Sequence, residues 1–447
     1  MSSYPAPIDA RLRAIGAQEG DTVLVTVGER VIEGRVMPHH GASAMRILTL
    51  KLSSGYNIGV QLDEHARLLL LRKADAPFRP TRVLSARPGL RLVAFLGTGG
   101  TIASYVDYRT GAVHPARSVE DLVFSVPEIE TLCTPRARVV FQVFSEDLRP
   151  SHWQQLAQEV VREFDGGAAG VVIPHGTDTL GYTAAALSFM LPQLCGPVVF
   201  VGAQRSSDRP SSDAPENLLG AVHGALSGVG EVLVAMHRTS SDGDIALHRG
   251  SRVRKSHSSR RDAFRSPNEE PLGSVNEGTT RFNAPTRPAV DGPQQALTRL
   301  EERVALVWYH PGIRPEEFAH ALRSNRGVVI AGTGLGHVGS HLLGLVRSAV
   351  AGGCIVGMTT QCMSGSVDLD VYATGRDLVA AGVLPLGDLL PETATIKMMW
   401  VLGNLEGAQA QRQALATDLV GELGTSRPYL SYDRAGSADV ARPQVSR

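Results

Sequence analysis

The sequence predicts an α/β fold: two α/β domains with mostly parallel sheets, preceded by a small β-barrel. Three patterns carry that expectation. Five short apolar runs crowd residues 22–71 with no amphipathic helix among them. From Leu92 onward, apolar strands alternate with helical periods. A polar stretch near 276–295, carrying Gly and Pro, then precedes a second alternating set.

The five early runs are Thr22–Val27, Arg30–Val36, Arg46–Leu52, Tyr56–Leu62 and Ala66–Leu71, separated by turn-forming Gly, Asp, His or Ser. Many short strands at close spacing indicate a small barrel or curled sheet. The Pro/Arg-rich stretch Ala74–Pro88 reads as a linker. Strands follow at Leu92–Leu96, Val139–Phe144, Gly170–Ile173, Val198–Val201 and Glu231–Met236. Helices are expected at Ser151–Phe164, with Ser151 as N-cap, and at Thr183–Leu191. This alternation is that of a parallel sheet with helices on both faces. In the second set, Val304–Tyr309, Gly327–Ala331 and Ile355–Thr359 are strands and Ser340–Ala351 a helix. The resulting plan is a barrel over 1–75, a linker over 76–90 and an α/β domain over 91–285. A linker over 286–302, a second α/β domain over 303–425 and a disordered tail over 426–447 complete it.

Composition narrows the function classes. The chain has 447 residues, is 43% hydrophobic and 20% charged, and carries no formal net charge. No global field therefore points to nucleic acid or a membrane surface. No apolar run reaches spanning length and the start lacks a signal pattern, so a cytoplasmic protein is expected. Cys133, Cys195, Cys354 and Cys362 show no CxxC spacing and read as reduced thiols. Only four basic residues are lysine (Lys51, Lys73, Lys255 and Lys397) against 40 arginines. A lysine kept in such a chain marks a place where a titratable amine is of use, because arginine does not deprotonate.

Two strand ends present hydroxyls. The first is Leu96-Gly97-Thr98-Gly99-Gly100-Thr101-Ile102-Ala103, where glycines let backbone approach a ligand. The second is Pro174-His175-Gly176-Thr177-Asp178-Thr179, which adds a carboxylate. Threonine needs a neighbouring base to act as a nucleophile, and Lys255 is the candidate, oriented by Asp178. No metal motif supplies an alternative, since HExxH is absent and His39-His40 lacks companions. The bland readings are a strand-to-loop turn for the first segment and a helix N-cap for the second. Gly334-Leu335-Gly336-His337-Val338-Gly339 fits GxGxxG, yet no acidic residue lies about 20 positions on, so a tight turn is preferred to a dinucleotide site. The basic run Arg249–Arg265 reads as a loop held by ion pairs, with a nucleic-acid patch as the sharper alternative.

Gly97–Ala103 and His175–Thr179 together resemble the two signatures of the type I asparaginase/glutaminase family, a likeness extending from Leu92 to about Glu422. A more specific resemblance is to the branch that forms the D-subunit of archaeal-type glutamyl-tRNA(Gln) amidotransferases. It rests on the preceding barrel with Gly55–Gly59, on Asp107–Val113, on Lys255–Ser266 and on Leu390–Ala394. The resemblance implies an asparaginase-like pair of α/β domains and an amidohydrolase that releases ammonia from glutamine or asparagine through a threonine nucleophile. It assigns Thr101 as nucleophile and Tyr108 as its mobile activating partner. Thr177, Asp178 and Lys255 form a second hydroxyl–carboxylate–amine group. Ser145, Glu146 and Asp178 hold the substrate's α-carboxylate and α-amine. It further implies a homodimer, and a tRNA-binding partner of the E-subunit type that carries ATP, Mg²⁺ and most of the tRNA, with no cofactor or metal in this chain. The alternatives are a free-standing L-asparaginase/glutaminase and, outside enzymes, a binding scaffold. Gln361–Ser366 and Pro385–Asp388 depart from the branch's pattern.

Overall fold

The computed structural model describes residues 4–37, 46–52, 57–73, 88–99, 104–107, 112–115, 119–124, 126–205 and 212–424. Thr101, Tyr108, most of the linker and the C-terminal tail lie outside these residues, as does Gly55-Tyr56. Two compact units emerge: Met1–Arg265 with Pro271–Arg299, and Ser266–Glu270 with Leu300–Arg447.

In the first unit, helix α1 (Ala6–Ala14) precedes strands β1 (Thr22–Val27), β2 (Arg30–Val36), β3 (Ile47–Lys51), β4 (Asn57–Gln61) and β5 (Arg67–Arg72). They pair antiparallel in the order β4-β3-β2-β1-β5. The expected barrel is thus an open sheet among the described residues, with β4 and β5 as edges rather than closing on each other. One face is dry: Val23, Val25, Leu48 and Leu50 pack with Ile8 and Leu12 of α1. That helix, which the strand pattern alone does not announce, covers the face that alternation makes apolar.

The larger part of this unit is an eight-stranded sheet. Its strands are β6 (Leu92–Gly97), β9 (Thr134–Val139), β10 (Gly170–Pro174), β11 (Val198–Val201), β12 (Val232–His237), β13 (Asp244–Arg249), β16 (Gly273–Asn276) and β17 (Thr279–Phe282). They lie in the order β17-β16-β13-β12-β11-β10-β6-β9. The two-stranded pairs β7 (Ser104–Asp107) with β8 (Ala112–Pro115), and β14 (Arg254–Lys255) with β15 (Phe264–Arg265), lie outside it. The five strands from β9 across to β12 run parallel, and β13, β16 and β17 extend the sheet antiparallel. Alternate residues Val93, Phe95, Val172, Val199, Val201 and Leu233 join α2 (Val119–Phe124), α3 (Ile129–Leu132) and α6 (Ala214–Ala225) in one core. Helices α4 (Pro150–Asp165) and α5 (Leu180–Met190) pack on each other and on β10 and β12.

Two local expectations shift. The strand expected at Val139–Phe144 ends at Val139, and the following residues turn into a short 3₁₀ segment, Ser145–Asp147. Helix α4 starts at Pro150, whose fixed φ and missing N–H suit a first helical position, so Ser151 sits inside the helix and Arg149 caps it. The Arg149 N–H donates to His152 Nδ1 at 2.9 Å.

The second unit carries a four-stranded parallel sheet, β18 (Val304–Trp308), β19 (Gly327–Gly332), β20 (Ile355–Thr360) and β21 (Leu384–Pro385), in sequence order. Helices α7 (Pro315–Ser324), α8 (Leu343–Ala351) and α9 (Ala373–Ala380) share a core with Val328, Ile330, Val356 and Met358. Helix α10 (Pro391–Asn404) packs on β18, β19 and β20, and α11 (Ala408–Ala416) follows it. The GxGxxG segment forms a tight turn after β19, with Thr333 and Gly336 bonded across it at 2.9 Å. Lys397 is fully buried: its Nζ lies 2.6 Å from Glu422 Oε1 and donates to the Leu415 and Thr417 carbonyls at 3.1 and 2.6 Å.

Candidate active site

Strands β6 and β10 are parallel neighbours, so their C-terminal ends open side by side. In open α/β sheets this end is where ligands bind. After β6, Thr98 Oγ1 donates to the Pro174 carbonyl at 2.8 Å, tying the first hydroxyl-bearing turn to the second. Gly99 takes φ +96°, and a Cβ there would lie 2.5 Å from the Val143 carbonyl oxygen. Only glycine meets both conditions.

After β10, the His175 ring is fully buried and Nδ1–H donates to the Gly176 carbonyl at 2.7 Å. Burial lowers the ring's pKa to about 4, against the smaller upward pull of that carbonyl. Gly176 is packed against Ser145: a Cβ at 176 would come within 2.7 Å of Ser145 Cβ. Thr179 Oγ1 donates to the Ser145 carbonyl at 2.7 Å, a second link between the same two turns. Ser145 is buried, and Glu146 beside it is exposed.

Lys255 reaches this place from far along the chain. It sits on β14, which pairs antiparallel with β15 so that Lys255 faces Phe264 across the ladder. Val253, Ala263 and Phe264 around it are buried, and the lysine side chain itself is largely enclosed. Its Nζ donates to Thr177 Oγ1 at 2.9 Å and to Asp178 Oδ1 at 2.6 Å. Thr177 is buried, the lysine side chain is 15% exposed and the Asp178 side chain 66% exposed. A hydroxyl, an amine and a carboxylate are thus joined at one mouth, the carboxylate open to solvent.

The structure therefore brings Thr177, Asp178 and Lys255 together and sets Ser145 against the same turn; Thr101 and Tyr108 lie outside the described residues. The hairpin itself is not evident from the sequence, since its strands Arg254–Lys255 and Phe264–Arg265 are two residues each, too short to show an alternation. The surrounding arginines are held by carboxylates: Arg260 and Arg265 by Asp262 at 2.8 and 2.5 Å, Arg249 by Glu231 at 3.2 Å, and Arg261 by Asp242.

Comparison with known proteins gives a concordant picture. Residues 92–287 match the family described as Asparaginase, N-terminal, residues 303–415 the Glutaminase/Asparaginase C-terminal domain, and residues 17–71 the GatD N-terminal domain. A Pyrococcus abyssi protein named as the D-subunit of glutamyl-tRNA(Gln) amidotransferase is 45% identical over 437 residues, 95% of this chain and 99% of that protein. The namesake from Saccharolobus islandicus is 42% identical, covering 95% of this chain and 96% of its own. Among solved structures, the thermostable L-asparaginase from Thermococcus kodakarensis superposes with a TM-score of 0.69 at 32% identity, over 75% of this chain and all 100% of that one. L-asparaginase I from Vibrio cholerae gives 0.65 at 28% identity, over 75% of this chain and 99% of that one.

Proposed function

The chain belongs to the D-subunit family of glutamyl-tRNA(Gln) amidotransferases, and from that premise we propose that it hydrolyses glutamine and hands the ammonia to a partner protein. The partner, of the E-subunit type, would use it to convert Glu-tRNA(Gln) to Gln-tRNA(Gln), carrying the ATP, the Mg²⁺ and most of the tRNA contact. The observation that supports this reading best is Lys255 Nζ at 2.9 Å from Thr177 Oγ1 and 2.6 Å from Asp178 Oδ1.

In this reading Thr101 attacks the side-chain amide carbon, its proton leaving by way of Tyr108. The amide nitrogen, once protonated, departs as ammonia and leaves an acyl-enzyme. Water then adds to the ester, passing a proton through the Thr177 hydroxyl toward Lys255, and glutamate is released. Backbone amides of the glycine turn stabilise the oxyanion, an effect worth roughly 10²–10³-fold in rate. Glu146 and Asp178 bring negative charge to the substrate ammonium, and Ser145 a hydroxyl donor to its carboxylate. The reaction belongs in the cytoplasm, in a homodimer.

The test is ammonia release from glutamine and asparagine by the full-length chain, alone and with its partner and Glu-tRNA(Gln). Amidation of the charged tRNA only when both proteins are present supports the reading. The second reading, a free-standing L-asparaginase, draws on the asparaginases to which the structure is similar. Rapid asparagine hydrolysis by the lone chain, indifferent to tRNA, would favour it. Thr101→Ala should abolish hydrolysis by either account while the circular dichroism stays native; unchanged turnover removes Thr101 from its role.

A further inference from the structure

A second cluster of polar groups lies at the far end of β12. His237 closes that strand, Glu216 stands in the first turn of α6, and Asp242 lies in the loop that leads into β13. Each offers one ligand atom, and these atoms fall within 4.8 Å of one another. The His237 ring is fully buried, with Nδ1 2.6 Å from Asn217 Oδ1. Asn217 spends its amide nitrogen on the Gly202 carbonyl and Asp213 Oδ2, at 3.0 and 3.1 Å, so its oxygen is what faces the ring. In the neutral ring Nδ1 is therefore the protonated nitrogen, and Nε2 then carries the lone pair.

That lone pair points at anions. Nε2 is buried and makes no hydrogen bond, although Glu216 Oε2 lies 3.3 Å away and Asp242 Oδ1 3.8 Å away. Three acceptors facing one another call for a cation between them. For a tetrahedral zinc with ligand bonds of about 2.1 Å, donor atoms stand about 3.4 Å apart, a separation that these two distances bracket. The supporting shell is also in place: Asn217 fixes the imidazole, and the Gly243 N–H donates to Glu216 Oε2 at 3.0 Å. Glu216 and Gly243 also line an open cleft of about 330 Å³. Against a cation stands Arg261, paired with Asp242; Asp213 adds a nearby negative charge, its oxygens occupied by the Gln204 and Arg205 amides at 3.0 and 2.9 Å.

We propose that His237, Glu216 and Asp242 form a three-donor site for a divalent transition-metal ion, clamping the β12–β13 loop to α6. One imidazole and two carboxylates suit zinc, with the fourth position open to water. The ion competes with Arg261 for Asp242, so metal binding and the Arg261 pair oppose each other.

The experiment uses the full-length chain stripped by chelator, titrated with ZnCl₂ by calorimetry and with Co²⁺ followed by visible absorption. One zinc per chain, with a Co²⁺ band that zinc abolishes, is expected. His237→Gln should remove binding. Glu216→Gln and Asp242→Asn, at more exposed positions that keep the test open if the histidine variant misfolds, should each weaken it at least about ten-fold. Arg261→Gln should tighten it roughly three-fold or more, because a competing charge is gone. No zinc binding, or binding that the three ligand variants retain, overturns the site. So does a His237 ring that ¹⁵N NMR shows doubly protonated in excess zinc. Unchanged affinity in Arg261→Gln would remove Asp242 from the ligand set and overturn the three-donor arrangement.

Discussion

Two lysine–carboxylate pairs with the same 2.6 Å separation sit in opposite surroundings in this chain. Lys397 and Glu422 are both wholly buried, and the lysine also donates to two backbone carbonyls. Lys255 is partly accessible, its carboxylate is two-thirds exposed, and its other partner is a threonine hydroxyl. The buried pair is committed to holding the end of the second unit, and burial drives the Lys397 amine down and the Glu422 carboxyl up from their ordinary values. The open pair leaves a carboxylate facing solvent. Distance alone does not separate structure from chemistry; the surroundings do.

The largest expected effect lies on the buried side. Lys397→Met or Glu422→Gln alone should cost about 3–5 kcal/mol, because each strands a polar or charged partner without solvent. Urea denaturation monitored by circular dichroism measures this. The double variant Lys397→Met/Glu422→Leu should recover only part of the loss, because the Leu419 and Val420 N–H groups and the Leu415 and Thr417 carbonyls lose their partners. If the single variants melt like the parent, the contrast between the pairs is wrong. On the open side, Lys255→Met should lower turnover about 10²–10⁴-fold, the usual range for a proton-transfer group. Initial-rate assays for ammonia decide it, and a loss under about ten-fold removes Lys255 from the relay.

Next in size is the response to acid. The buried His175 ring stays neutral down to about pH 4, while the unfolded chain takes up a proton below the ordinary value of 6.5. The unfolded state thus binds more protons between those values, and stability falls as pH drops through them, by up to about 3 kcal/mol from this ring. His248, lowered to about 3 by burial first and by Arg265 and Arg238 next, acts in the same direction. Denaturation midpoints from about pH 7 to pH 4 should show the decline; a flat profile excludes it. The smallest effect is the stability cost of Lys255→Met, under about 1 kcal/mol for a pair so open to water. A larger loss would make Lys255 a structural residue like Lys397.

Much of this was legible in the chain. The parallel strands β6, β10, β11, β19 and β20 were readable because both of their faces are dry and the runs are continuously apolar. Strand-end hydroxyls and the scarcity of lysine pointed to Thr177, Asp178 and Lys255 as candidates, but their grouping came from the family resemblance; the structure brings the three side chains together. Less visible was anything decided by distant pairing. The N-terminal strands carry no mark of whether the sheet closes, since β4 and β5 differ only in which partner they lack. Val139–Phe144 has an apolar run, yet the strand ends at Val139 because Val143 is drawn back against Gly99 by the turn. Glu216, His237 and Asp242 have no local spacing that signals a ligand set; a helix, a strand end and a loop converge on them only after folding. Lys397 met the expectation of a specially placed amine, but for its three compact donors rather than for titration.

The contact between Gly176 and Ser145 has a further consequence. With no room for even one methyl group there, the turn that carries Thr177 and the turn that carries Ser145 are seated directly on each other, so a bulkier residue at 176 would displace both.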